Sequence, residues 1–312
     1  MPNLLEDQNV RALGSNLELL ARQVVEGFIV GMHRSPFHGF SVEFAEHRLY
    51  NTGESTRNID WKVYARTNKL FVKRFEEETN LRCQIVVDAS STMYYPWDEK
   101  NPRKFRYQNK FCFAAQAAAA LMYALKRQRD AFGLTLFDDD IRVSTNCKST
   151  TQHYQHLLAY LADRIEKPEL NHSTDLAHCL HQVADAIHRR SLVVIFTDVM
   201  ERPEDAGRLF SALQHLKHNK HEVILFHVTD KSKELDFEFE NRPYIFVDME
   251  TGEQVRLQPN QVKAFYTKQV AAFTDQLKLR CLQYKIDFVE ADINKGFIPI
   301  LQTWMAKRAK MQ

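Results

Sequence analysis

Residues 84–92 read Gln84-Ile85-Val86-Val87-Asp88-Ala89-Ser90-Ser91-Thr92. A short run of β-branched residues, with no alternation of polar and apolar, fits a strand covered on both faces. It ends abruptly in a carboxylate and hydroxyls. The same form recurs at Val193-Val194-Ile195-Phe196-Thr197-Asp198, and further apolar runs lie at Phe132 to Phe137 and Glu222 to His227.

Working outward, strand Gln84–Val87 precedes a helix over Lys104–Arg127, strand Phe132–Phe137 and a hairpin partner over Ile141–Ser144. Helices Thr151–Ile165 and Thr174–His188 follow, then strand Leu192–Phe196, helix Glu204–His218 and strand Glu222–His227. Strands alternating with helices predict an α/β fold, a doubly wound, mostly parallel sheet. Beyond it come a hairpin in residues 244–257 around Glu250-Thr251-Gly252-Glu253, a long helix over Gln261–Leu282, a last strand over Lys285–Val289 and a closing helix from Ile298.

The N-terminal quarter differs. Leu17, Leu20, Val24 and Phe28 share one face of a helix over Asn16–Val30, with Leu13 and Val25 beside it and Ser15 or Asn16 as its cap. A strand over Ser41–Phe44, a short helix over Ile59–Ala65 and a strand over Leu70–Phe75 make an accessory α+β module. The division expected is therefore 1–79 for helix and module, and 80–312 for the sheet domain.

Composition narrows the function. The 312 residues are 44% hydrophobic and 26% charged, and 42 basic side chains against 40 acidic ones leave a net charge of +2, too balanced for a dedicated polyanion binder. The nine glycines are so spread that neither a dinucleotide fingerprint nor a Walker loop can be formed. Zinc-protease, serine-hydrolase and zinc-ribbon signatures are missing as well. Five scattered cysteines, Cys83, Cys112, Cys147, Cys179 and Cys281, fit reduced core thiols of a cytoplasmic protein. Glu6 and Asp7 do not suit a signal peptide. Phe111 to Leu125, the longest uncharged apolar stretch, would rise about 22 Å against a hydrocarbon core of about 30 Å, so it reads as a buried helix.

In such sheets, ligands gather beyond the carboxyl ends of the strands. Three places there are rich in oxygen: Asp88 with Ser90 and Thr92, the segment Asn171-His172-Ser173-Thr174-Asp175, and Thr197-Asp198. Singly, Asp88 suits a turn, and Thr174 or Asp175 suits a helix cap. Together they suit a small hard cation, which takes about six oxygens at ~2.0–2.1 Å. With so few anionic ligands that ion stays electrophilic. The Asp138-Asp139-Asp140 run reads as the polar turn of a hairpin.

These residues resemble a known group. Asp88-x-Ser90-x-Thr92, Thr174 and Asp198 look like the metal-ion-dependent adhesion site of von Willebrand factor A-type domains, and Asp130-Ala131-Phe132-Gly133-Leu134-Thr135-Leu136-Phe137 looks like that fold's second strand. The earlier segment resembles the bacterial family called domain of unknown function 58. The match runs through His33-Arg34-Ser35-Pro36, Gly39, Glu43-Phe44-Ala45-Glu46, Arg48-Leu49-Tyr50, Gly53-Glu54, Arg57-Asn58-Ile59-Asp60-Trp61 and Ala65-Arg66-Thr67, and on through Phe75-Glu76.

The resemblance implies a von Willebrand A-like sheet with magnesium or manganese at its upper edge. Ser90 and Thr92 would ligate it directly, and Asp88 and Asp198 directly or through water. Thr174 would join in one loop arrangement, leaving a position for an acidic side chain of a protein partner. It also implies a non-enzymatic adaptor working with a MoxR-type AAA+ ATPase. Three positions depart from the pattern: Thr92 stands where Ser is usual, and Ser173 and Val199 stand where Gly is frequent. Arg57, Asp60, Trp61 and Arg66 match the family motif without a role that the sequence reveals; a brace between module and sheet is the expectation.

Two rival chemistries remain. Asp88 could be the nucleophile of a magnesium-dependent phosphatase, yet Ser90 stands where that chemistry needs a second aspartate. The basic stretch Arg57 to Arg74, with Trp61, Tyr64 and Phe71, could grip nucleic acid, but Glu76, Glu77 and Glu78 follow, which suits a solvated surface. The histidine pairs His153/His156, His178/His181 and His215/His218 have helical spacing and read as helix surface.

Overall fold

A computed structural model describes residues 8–29, 42–49, 60–77, 81–98, 101, 105–170, 172–199 and 206–302; side-chain positions within it exclude 8–11, 27–29, 42–49 and 72–77. The chain forms two compact units, residues 37–81 and the remainder. The N-terminal helix falls in the larger unit, not with the accessory module.

The larger unit is built on a six-stranded sheet. Its strands are β3 (Arg82–Asp88), β4 (Ala131–Phe137), β5 (Ile141–Ser144), β6 (Leu192–Thr197), β7 (Glu222–Thr229) and β10 (Asp287–Asp292), in the order β10-β7-β6-β3-β4-β5. All neighbours are parallel except β4 and β5, which form the antiparallel edge. This is the doubly wound, mostly parallel sheet expected from the alternation of apolar runs, and the kind that the von Willebrand A resemblance implies. From β3 the chain moves outward to β4 and β5, then returns to the other side of β3 as β6. The order reverses between β3 and β6, where such sheets open a crevice.

Helices cover both faces. On one, α3 (Lys110–Arg127) lies against β3, β4 and β7, and α4 (Thr151–Glu166) packs beside it. α1 (Gln8–Ile29) covers α3 and α4 as an outer layer. Its buried line is Leu17, Ala21 and Val25, which shares Leu17 with the expected Leu17/Leu20/Val24/Phe28 face but is otherwise displaced from it by one residue around the helix. The small Ala21 permits close approach to α3, whose Ala114, Ala115 and Ala117–Ala120 are all buried. Enclosed between sheet and outer helix, α3 is apolar on all sides.

On the other face, α5 (Leu176–Ala186) packs on α6 (Ala206–His218), and Leu277 and Cys281 of α7 (Pro259–Gln283) join the same core. All five cysteines are free thiols, and Cys147 is the one not fully buried. The hairpin β8 (Tyr244–Val247) with β9 (Gln254–Leu257) stands on an aromatic cluster of Phe237, Phe239, Phe246 and Tyr266.

One buried polar contact fixes the sheet's register. Gln84 of β3 donates to Thr135 Oγ1 at 2.9 Å from within the core. Gly133 makes room for it, since a β-carbon there would lie 2.4 Å from Gln84 Oε1 and 2.6 Å from the Thr145 carbonyl.

In the smaller unit, β1 (Val42–Leu49) pairs antiparallel with β2 (Phe71–Glu77), with a register shift between Phe44 and Glu46. Between them lies α2 (Trp61–Thr67), two residues later than expected because Asp60 caps it, accepting from the Lys62 and Val63 amides at 2.9 and 3.1 Å. Among the described residues, no helix is long and apolar enough to cross a membrane.

Candidate functional site

Parallel pairing sets the ends of β3 and β6 side by side: Val87 pairs with Phe196, so Asp88 and Thr197-Asp198 emerge together. Asp88 has no exposed surface. Its Oδ1 accepts from the Ser90 amide at 2.9 Å, and its Oδ2 accepts from Thr197 Oγ1 at 2.7 Å. Burial pushes its carboxyl up to about 7, and the neighbouring Asp198 carboxylate adds to the rise. The first bond bends the chain after Asp88 into a tight turn, bringing Ser90 Oγ within 3.2 Å of Thr92 Oγ1. A short 3₁₀ turn, Ser91–Tyr94, follows.

The Thr174 loop is tied to this turn. The Ser91 amide donates to the His172 carbonyl at 3.2 Å, and the His172 amide donates back to Ser91 Oγ at 2.8 Å. Asp175 is the cap of α5, accepting from the His178 amide at 3.0 Å, and Arg208 holds its carboxylate. Thr174 is therefore not a cap and lies outside the helix, where sequence periodicity had started it. Its Oγ1 is buried and has no hydrogen-bond partner.

Asp198 is buried too. Its Oδ2 accepts from Lys110 Nζ at 2.8 Å, while its Oδ1 is buried with no hydrogen-bond partner. Lys110, with no exposed surface, also donates to Glu234 on the π turn Lys231–Leu235. Burial works against the ammonium, but Asp198 and Glu234 outweigh it and hold the lysine charged well above its usual range. His227 Nε2 lies 3.0 Å from the Asp198 carbonyl, and burial lowers this histidine to about 4, keeping it neutral.

Asp88, Ser90 and Thr92 thus form one linked turn with Thr197, Asp198 lies beside it on the next strand, and the Thr174 loop is laced to it through residue 172. Sequence reasoning missed Lys110 and Glu234. Lys110 sits 88 residues from Asp198 and 124 from Glu234, and a lysine at the start of an apolar helix gives no sign of burial.

The other motif positions behave differently. Asp60 acts locally as the cap of α2. Trp61 is 61% exposed, with its ring edge-on to Tyr64 at 6.1 Å, and Lys62, Arg66 and Lys69 are exposed. Arg57 lies outside the described residues. Asp138, Asp139 and His172 bring ligand atoms within 4.8 Å of one another. Arg142 grips Asp138 at 2.7 and 2.8 Å and also bonds Asp139, so this is an ion-paired turn. The histidines are less superficial than their spacing suggests. His153 Nε2 contacts the Phe132 carbonyl at 2.9 Å, and His181 and His215 join α5 to α6 with their Nδ1 atoms 3.0 Å apart.

The strand order, with helices on both faces, is that of a von Willebrand A-like α/β fold. The chain belongs to the family described as Protein of unknown function DUF58, whose model matches residues 46–275. It is similar to an uncharacterized protein of Mycobacterium tuberculosis, 25% identical over 226 residues that cover 72% of this chain and 67% of that one, and equally to one of Mycobacterium bovis. Among solved structures it is similar to the conserved hypothetical protein BatB from Bacteroides thetaiotaomicron, at 14% identity and a TM-score of 0.45 over 74% of this chain and 100% of that one. A second is an aerotolerance-related membrane protein from Bacteroides fragilis, at 13% identity and a TM-score of 0.47 over 75% and 100%. The SpRpn10 VWA domain matches at 14% identity and a TM-score of 0.31 over 48% and 75%.

Proposed function

We propose that this chain is a protein-binding adaptor that holds magnesium or manganese with Asp88, Ser90, Thr92, Thr174 and Asp198. The observation that carries the reading is a pair of buried oxygens without a hydrogen-bond partner, Asp198 Oδ1 and Thr174 Oγ1, one just past the strand end next to Asp88 and the other in the loop that is bonded to Ser91. A buried, unpartnered acceptor is costly, and a cation answers that cost for both. The donors are all oxygen, the chemistry hard cations take. Asp88 already accepts two hydrogen bonds, but a carboxylate has about four lone-pair sites and keeps capacity for a ligand. When bound, the ion supplies an open position for an acidic side chain of another protein. A MoxR-type AAA+ ATPase is the partner we propose, on the strength of the family pattern alone.

Calorimetric titration with magnesium and manganese tests this. Wild type gives a binding isotherm, and Asp88→Ala and Asp198→Ala lose affinity by at least about tenfold, as removal of a charged ligand requires. Equal heats in all three proteins refute the assignment.

A further inference from the structure

Lys110 begins α3 and is fully enclosed, and a methionine there would continue the helix's apolar start without bringing a charge into the interior. Its ammonium instead ties together three parts of the chain that are distant in sequence. It donates to Asp198 at the end of β6 and to Glu234 in the turn after β7, and its own amide bonds the Tyr95 carbonyl at 3.0 Å. Glu234 is fixed in turn, its Oε2 accepting from the Asp230 amide at 2.7 Å. The lysine uses one oxygen of Asp198 and leaves the other without a hydrogen-bond partner.

We propose that Lys110 is a tethered cation that sets the affinity of the strand-end site for a divalent ion and keeps the loaded site receptive to an acidic partner. This rests on the metal reading above. With the lysine in place, a divalent ion enters a site whose anionic charge is already partly met, so it binds weakly and the loaded site is close to neutral. Without the lysine, Asp88, Asp198 and Glu234 face the ion unopposed. The ion then binds more tightly, but the loaded site keeps a negative charge that repels an incoming carboxylate. Lys110 is in this sense a positioning and specificity residue that acts through Asp198.

The experiment is calorimetric titration of the full chain with manganese chloride alone, with circular dichroism to confirm folding. Lys110→Met binds manganese at least about tenfold more tightly than wild type, the factor that one unit charge a few ångströms from a divalent ion gives even in a water-like dielectric. Lys110→Met/Glu234→Gln, which removes one charge of each sign, returns toward wild-type affinity and guards against misfolding of the single variant. Unchanged or weaker binding by folded Lys110→Met overturns the tethered-cation role, while Asp88-dependent binding by wild type leaves the metal reading intact. A double variant as tight as the single also overturns it. Binding by Lys110→Met but not by wild type supports the lysine's role and removes the metal from the native site. No binding by either protein overturns both readings.

Discussion

Asp198 and His221 show opposite ways of housing a titratable side chain at the ends of strands. The first has a full charge brought to it by Lys110. The second is kept neutral: His221, buried before β7, accepts the Ser191 amide at Nδ1 at 3.2 Å, and burial lowers its pKa below the ordinary value of 6.5. Below pH 6.5 the unfolded chain takes up a proton that the folded one resists, so this residue's contribution is complete above that pH and is lost as pH falls toward its folded value. Urea denaturation at pH 7.5 and 5.5 is therefore expected to show lower stability at 5.5, with a smaller drop in His221→Gln. Equal drops in the two proteins remove His221 as a source.

At the level of elements, α2 depends on its first residue's neighbour. Asp60→Ala is expected to cost about 1 kcal/mol of helix stability, the usual value of a lost cap, and to speed amide exchange at Lys62 and Val63, while Asp60→Ser preserves most of the protection. The same element shows what sequence could tell. Strand β3 and the hairpin partner β5 were legible because a run of apolar residues buried on both faces, or a short alternation after a polar turn, is a local property. The succession of strands and helices along the chain followed from alternation alone, but the order of the strands within the sheet did not. The start of α1 was not legible, because Ser15 or Asn16 reads as a cap although Val10 and Leu13 continue the helical spacing to Leu17, and neither was the Thr174 boundary, where two side chains competed for the cap and Asp175 took it. At the site, Asp88, Ser90 and Thr92 were readable from their spacing. The Lys110–Asp198–Glu234 network was not, since only the crossover of strands brings its members together.

For the whole molecule, the unit formed by residues 37–81 is inserted into the larger one, which includes α1 on its far side in sequence. Removing residues 1–36 uncovers α3 and α4. Leu17 and Val25 are worth about 1.5–3 kcal/mol each when buried, so that truncation is expected to lower stability by a few kcal/mol. Replacing residues 37–81 with a flexible Gly/Ser linker leaves the α1 contacts in place and is expected to cost less. Urea midpoints of the two variants decide the matter, and a linker variant weaker than the truncation refutes the assignment of α1 to the larger unit.

The outer position of α1 also bears on how the protein is made. Leu17, Ala21 and Val25 are synthesised about ninety residues before Lys110 opens the helix they cover. At about 5–20 residues per second, that apolar stripe waits roughly 4–18 s for its partner. During that interval a nascent chain presents a greasy face with nothing to cover it, and whatever shields it in the cell must let go once α3 and α4 have emerged.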